Sequence, residues 1–304
     1  MTDHFEVERP ALFGLAYRML GTRTDAEDVL QDAWLRWSRV DPASVDDPRA
    51  YLFRLVTNTA VDHLRRARAR RESYVGPWLP EPLVGDATAE IEARAAASIG
   101  LLVVLESLDP DERAVFVLHE AFAFSHAEIA ALLGRTERAV RQLGYRARRH
   151  VRDRRPRRQP AAQEHRELVE RFARAAVQGD VAALVALLAP DAVLVADSAG
   201  RRETPRVPLH TAAAVAEWFR GAQRFWPADL GLVVTTVNGG PGLLVTTAGA
   251  PFLVAALEVA DDRIHAIYAQ LAAEKLGRPD RPASVGVDQG QMVARGDHPT
   301  TLCP

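Results

Sequence analysis

Apolar positions recur at three- and four-residue steps through the first half of the chain. Toward the end of the second half they cluster in short runs separated by turn residues. Residues 8–21 hold Leu12, Phe13, Leu15, Ala16, Tyr17, Met19 and Leu20, which predicts an apolar helix ending at Gly21. Thr24 followed three residues later by Glu27 is a capping-box pattern and predicts the start of a second helix. Its inward stripe would be Ala26, Val29, Leu30, Ala33, Trp34 and Trp37. Asp47 then Pro48 predicts a third start, because proline at the first helical position loses no hydrogen bond. There Tyr51, Leu52, Leu55, Val56, Thr59, Ala60 and Leu64 can face inward. The period then breaks. Residues 70–88 contain YVGPWLPEPLVGD, whose three prolines and two glycines exclude a helix interior and predict an extended linker. A pure spacer would not expose Trp78 and Leu79, so the linker is expected to dock on a folded surface. Helical pattern resumes from Ala89 to Leu108, and Asp109, Pro110 and Glu112 begin another helix.

Residues 125–155 read as two short helices around a tight turn. Ser125 and Glu128 form a second capping box, Ile129, Ala130, Leu132 and Leu133 an apolar face, and Gly134 a left-handed stop. Thr136 can cap the next helix, which turns Ala139, Val140, Leu143, Ala147 and Val151 inward. Beyond Pro156 and Pro160 the pattern changes. Residues 163–178 and 180–189 predict helices, 191–197 a strand, and 210–222 a helix. LGLVVTTV, LLVTTA, FLVAALEV and RIHAIYAQL then predict four strands joined by turns. Helices followed by a curved antiparallel sheet make an α+β unit of roughly a hundred residues. From Gly277 onward polar residues, prolines and glycines dominate without period, the pattern of a disordered tail. The expected division is two all-α units at 1–70 and 89–156 joined by a linker at 71–88, an α+β unit at 163–276, and a tail at 277–304.

Charge sharpens this picture by its distribution. The net charge of the 304 residues is only −2, yet arginine crowds 65–71 and 135–158, and Lys275 is the only lysine. Arg135, Arg138, Arg141, Gln142, Arg146, Arg148 and Arg149 face away from the inward stripe of the last helix in the pair. A short helix, a glycine turn and an arginine-studded second helix can place a recognition helix in the major groove. Arg54, Asn58, Asp62 and Arg65 form an outer row on the third helix, where amides and guanidiniums can meet base edges and phosphates. Asp25, Glu27, Asp28, Gln31 and Asp32 make the outer face of the second helix acidic. Acids there complement the helix dipole and can also dock a basic partner. One cysteine, Cys303, excludes a disulfide framework or a cysteine metal site within the chain. The start has no apolar signal core and no apolar run reaches membrane length, so the expected compartment is the cytoplasm. No cofactor or metal is expected.

In this order the parts resemble the extracytoplasmic-function family of bacterial sigma factors. AEDVLQDAWLRW resembles the family's polymerase-clamp-binding helix, and PRAYLFRLVTNTAVDHLRR its promoter-melting helix. LDPDERAVFVLHE with the helix-turn-helix resembles its fourth region. WLPEP (Trp78, Leu79, Pro80, Glu81 and Pro82), followed by a SnoaL-like cone of nuclear-transport-factor-2 type, narrows the likeness to the sigma-J-type subgroup. That subgroup's glycine-rich aspartate motif is represented by DSAGRR, from Asp197 through Arg201 and Arg202. Its Asn-Pro-Asp-Lys-Leu motif is represented by AAEKL, with Lys275 kept and the asparagine and proline lost.

The resemblance implies a non-enzymatic factor that binds core RNA polymerase and promoter DNA, with no separate anti-sigma factor required. Glu27, Asp28, Gln31 and Asp32 would meet the polymerase. Arg138, Arg141 and Gln142 would read duplex base edges, and Arg135, Arg146, Arg148 and Arg149 would hold phosphates. The 40–47 loop and the Arg54–Arg65 row would take up the melted downstream element. The cone would be a built-in regulator packed on Trp78–Pro82 that controls the spacing of the DNA-binding units. A small-molecule ligand of the cone and a pocket or regulatory role for Asp197, Arg201, His210, His265, Tyr268 and Lys275 complete the expectations. Two other readings stay open: a ligand-responsive regulator that never binds polymerase, and a SnoaL-like enzyme fused to a DNA-binding module.

Overall fold

In the computed structural model the described residues are 4–71, 74–85, 97–152, 161–200 and 204–276. Three helices come first: α1 (His4–Leu20), α2 (Arg23–Trp37) and α3 (Pro48–Arg71). Among the described residues four follow the linker: α4 (Ile99–Glu106), α5 (Pro110–Phe122), α6 (His126–Leu133) and α7 (Glu137–Arg152). The C-terminal unit holds α8 (Ala162–Gln178), α9 (Val181–Leu187), β1 (Leu188–Asp197), β2 (Leu209–His210), α10 (Ala212–Ala222), β3 (Gly231–Val237), β4 (Gly240–Thr247), β5 (Ala250–Ala260) and β6 (Arg263–Gln270). The predicted helical stretch 89–96, Arg201, Arg202 and the tail from Gly277 lie outside the described residues.

Local chemistry corrects several expectations. Helix α2 starts at Arg23, and its cap is Thr22, not Thr24. Gly21, at φ +78°, turns the chain out of α1, so Thr22 is the first residue able to adopt extended backbone and accept the Asp25 N–H, at 3.2 Å. Trp34 is not in the buried stripe: it is 43% exposed, because α2 seats only Ala26, Val29, Leu30, Ala33 and Trp37. Helix α3 buries more of its circumference than one stripe. Phe53, Thr57 and Val61 also lie inside, since α1, α2, α5 and α6 all pack on it.

The sheet is mixed, with strand order β2-β1-β6-β5-β4-β3. The prediction of an antiparallel sheet fails at β1, which runs parallel to β6, pairing Val193 with Ala266 and Asp197 with Gln270. A parallel pair needs a long crossover, and α10 with β3–β5 supplies it. The same pairing sets the Asp197 and Gln270 side chains at one end of the sheet. His210 belongs to β2, paired with Val193, and not to the following helix, which begins at Ala212.

The sheet's two faces belong to different cores. Leu243, Ala255, Leu257, Val259 and Ile267 pack under α8–α10. Val237, Leu244 and Val254 join the core of the helical half, with Ala256 and Tyr268 against it. Strand alternation thus serves both layers, and the helical units dock on a sheet face that would otherwise be wet.

Candidate nucleic-acid interface and the buried linker

The helix-turn-helix is built by its caps. Ser125 and Glu128 exchange both capping-box bonds, at 3.2 and 2.7 Å. Gly134 closes α6 at φ +62°, and Thr136 accepts the Ala139 N–H at 3.3 Å. Helix α7 seats Val140, Leu143, Gly144, Ala147 and Val151 against the unit's core. Arg138, Arg141, Gln142, Arg146 and Arg149 are exposed, and Arg148 is half-buried. The sequence pattern passed over Tyr145, which stands among them at 63% exposure. Acids balance several of these cations: Glu137 pairs with Arg141, Glu112 with Arg146 (2.9 Å), Glu120 with Arg148 (3.6 Å) and Asp111 with Arg135 (2.6 Å).

On α3, Arg54, Asn58, Asp62 and Arg65 all reach solvent along one face. Asp62 and Arg65 pair at 3.4 Å, and the Arg54 guanidinium lies 5.8 Å from the Tyr51 ring centroid. On α2, Asp28, Gln31 and Asp32 are exposed, whereas Glu27 is held by Arg9 at 2.7 Å. Trp34 and Leu35 add an exposed apolar edge to this acidic face.

The middle of the linker is seated where the three units meet. Leu79 is 1% exposed, and Pro80 and Pro82 are buried. The Asp197 carboxylate, 0% exposed, accepts from Tyr74 Oη (2.5 Å), the Leu79 N–H (2.9 Å), Gln270 Nε2 (3.3 Å) and Lys275 Nζ (2.6 Å). Lys275 also donates to the Leu79 carbonyl at 3.0 Å, and its ammonium lies 4.3 Å from the Trp78 ring and 4.9 Å from the Tyr74 ring. The cation thus meets a carboxylate, a carbonyl and two π faces, which replace its lost hydration. Burial, reinforced by the bond to Asp197, pushes the Tyr74 phenol up, so it stays a donor.

A second cluster, around Asn238, grips the linker on its other side. The Leu83 N–H donates to Asn238 Oδ1 at 2.9 Å, and Asn238 N–H to the Leu83 carbonyl at 2.9 Å. Asn238 Nδ2 donates to Tyr17 Oη (2.8 Å) and to the Ala97 carbonyl (2.9 Å). Tyr17 Oη in turn donates to the Glu81 carbonyl at 2.7 Å. One amide thereby touches the first bundle, the linker and the start of the second helical unit. Glu81 closes the circle: its N–H donates to the Gly21 carbonyl (2.8 Å), and its carboxylate accepts the Arg23 N–H (2.8 Å). Burial pushes the Glu81 carboxyl above its ordinary range. Nothing in NGGPG beyond a turn was legible in advance. Asn238 takes the left-handed conformation, φ +49°, that such a turn requires, and its side-chain role exists only after docking.

The remaining candidates do not converge. His210 is exposed on β2, His265 sits in β6, and Tyr268 interacts with Glu258 on another part of the sheet. Tyr268, not Asp197, His210 or His265, lines a cavity of about 500 Å³ between the sheet and α4–α5, along with Arg18, Glu120, His165 and Glu258. Among the described residues no His, Cys, Asp or Glu cluster is arranged to hold a metal, and no helix is long and apolar enough to cross a membrane.

Comparison with known proteins identifies the two helical units. The model of sigma-70 region 2 matches residues 4–70, and that of sigma-70 region 4 matches residues 99–151. The ECF RNA polymerase sigma factor SigJ of Mycobacterium tuberculosis is 39% identical over 320 residues, spanning 97% of this chain and 98% of SigJ. SigG of the same organism is 28% identical over 91% of this chain and 83% of its own. The crystal structure of M. tuberculosis SigJ superposes with a TM-score of 0.73 at 36% identity, covering 89% of this chain and 96% of that one.

Proposed function

The chain belongs to the extracytoplasmic-function family of RNA polymerase sigma factors, and from that premise we propose a division of labour among its surfaces and a regulatory role for its C-terminal domain. It binds core polymerase and directs promoter recognition through the region 2 and region 4 domains. The acidic face Glu27, Asp28, Gln31 and Asp32, with Trp34 and Leu35 at its edge, is the polymerase contact. Arg138, Arg141 and Gln142 read duplex bases, while Arg135, Arg146, Arg148 and Arg149 hold phosphates. Arg54, Asn58, Asp62 and Arg65 serve the downstream element. The proposed domain limits are region 2 to residue 70, the linker to 88, region 4 to 156 and the cone from 163 to 276.

The observation that carries the regulatory reading is the burial of Leu79 under Asp197, Gln270 and Lys275. Released and fully extended, the segment between Arg71 and Ile99 can span about 90 Å. Docked, it holds the two DNA-reading domains side by side on the cone. The cone therefore acts in cis where a separate anti-sigma factor would act in trans. Asp197 and Lys275 belong to this lock and not to catalysis, since their polar atoms are consumed by the linker. A small ligand acts best in the cavity between the sheet and α4–α5, where binding would be linked to closure. The protein works in the cytoplasm, beside the polymerase.

Run-off transcription with purified core polymerase, on the promoter of the protein's own gene neighbourhood, tests the assignment. Specific initiation should require both components and be lost in the Asp28→Arg, Asp32→Arg double variant. Tight duplex binding by the protein alone, without initiation, would favour a regulator that never engages polymerase.

A further inference from the structure

The two DNA-reading domains touch each other directly, apart from their shared contacts with the linker and cone. Phe53 of α3 packs on Phe122 and Phe124, with ring centroids 5.2 and 5.1 Å apart. The Arg49 guanidinium lies over both Phe53 and Phe124, at 5.0 and 5.4 Å. Arg113, buried in α5, donates from Nε to the Arg18 carbonyl at 2.8 Å, which ties α5 to the end of α1. Beside this apolar seam sits Asp111, in the first turn of α5. Its Oδ1 lies 3.4 Å from Arg65 Nη2 of α3, and its Oδ2 accepts from Arg135 Nη2 at 2.6 Å. One carboxylate thus bridges a cation from each DNA-reading surface.

We propose that Asp111 is an internal stand-in for promoter phosphate, a latch that holds Arg65 and Arg135 together in the closed chain and must be displaced when DNA takes them. The chemistry fits. A carboxylate offers two anionic oxygens to two guanidiniums, much as a phosphate would. Both arginines reach solvent, so salt and polyanions can compete for them. The bridge is the cross-domain member of the acidic set on α5. Glu112 and Glu120 pair with Arg146 and Arg148 within region 4 itself. Closure and DNA binding are therefore mutually exclusive claims on the same two side chains. The inference rests on the assignment of Arg65 and Arg135 to promoter contact.

The test uses the full chain with Cys303→Ser and dyes on Val7→Cys and Ala131→Cys, exposed positions on α1 and α6. Asp111→Asn is compared with Glu112→Gln. Each removes one negative charge from the same helical turn, so general electrostatics toward DNA change equally. Only the first breaks a cross-domain bridge. Asp111→Asn should raise the open fraction, read by energy transfer, about two- to fivefold, the range for exposed ion pairs. It should also flatten the rise in opening with added salt and strengthen promoter-duplex binding more than Glu112→Gln does. Equal energy transfer and equal salt response in the two variants would overturn the latch. Wild-type run-off transcription reports separately on the sigma assignment. Its failure would remove the promoter interpretation of the arginines while leaving the measured distance to decide the latch.

Discussion

Replacing Lys275 with Met isolates the lock around the linker. The Asp197 carboxylate has no exposed surface, and the lysine side chain is 10% exposed. Met keeps the length and the contact with the Trp78 and Tyr74 rings but removes the charge. Breaking a buried pair from one side costs about 3–5 kcal/mol, because the other charge stays buried. That penalty falls mainly on the docked state. Tyr74, Trp78 and Leu79 make much of the cover over Asp197, so undocking returns the carboxylate to water. At about 1.4 kcal/mol per tenfold, the docked-to-released ratio should fall by roughly a hundred- to several thousandfold. The Leu79 amide, which donates to Asp197 Oδ2, is the reporter: hydrogen exchange across the linker should accelerate by that factor in Lys275→Met. Adding Asp197→Asn should recover much of the protection, since a neutral pair no longer leaves a charge stranded. Unchanged linker exchange in a folded Lys275→Met protein would refute the claim that this ion pair holds the linker.

Other perturbations probe the rest of the seam. A Cβ added at Gly100 would collide with the Glu258 carboxylate. Gly100→Ala should therefore push the flexible Glu258 side chain aside and loosen its bond to Tyr268, a loss of about 0.5–1.5 kcal/mol for one hydrogen bond, read as a slightly lower unfolding midpoint. The Glu81 carboxyl, ordinarily near 4.5, is raised chiefly by burial, against the pull of the Arg23 and Thr24 amides. A raised docked value means that its contribution to docking is full below 4.5 and is lost as pH climbs through the docked pKa. Linker protection should thus loosen from acid toward neutrality, and Glu81→Gln should flatten that dependence while keeping an oxygen for the Arg23 N–H.

The sequence showed the helical half well because each start there is written in local chemistry. Ser125 with Glu128, Asp47 with Pro48 and Gly134 act within a few residues of themselves. The Thr24 reading failed for the same reason: a capping-box pattern is local, and Gly21 decided which threonine could leave the helix. Trp34 shows the limit of periodicity, since an aromatic at the stripe's edge can serve the core or a partner. The parallel register of β1 with β6 was not legible, because it depends on a crossover of more than sixty residues. Asp197 and Lys275 stood out only through family motifs. Asn238, Tyr17 and Asp111 could not stand out at all, since their partners lie 221, 64 and 46 residues away along the chain.

Where the buried polar groups fall says how the molecule opens. Among the described residues the buried polar side chains are Thr57, Arg113, Asp197, Ser198, Asn238, Gln270 and Lys275. Thr57 and Ser198 bond locally, to Phe53 and Thr204. The other five bond across a seam between domains or to the linker. The hydrogen bonds add modest net strength to the apolar burial of this seam, about 0.5–1.5 kcal/mol per bond, because each group regains water when freed. A partner opens such a seam by holding the released domains more tightly than the docked ones. A partly opened seam is worse than either end state, since each buried group left without its partner costs about 1–3 kcal/mol. Asp197 and Lys275 would be stranded if Leu79 left alone, and Asn238 would lose two of its three partner residues, Leu83 and Tyr17, if the linker and region 2 left without region 4. Release should therefore be concerted, with the linker, region 2 and region 4 leaving the cone as one event, so that intermediate spacings of the DNA-reading domains are scarcely populated.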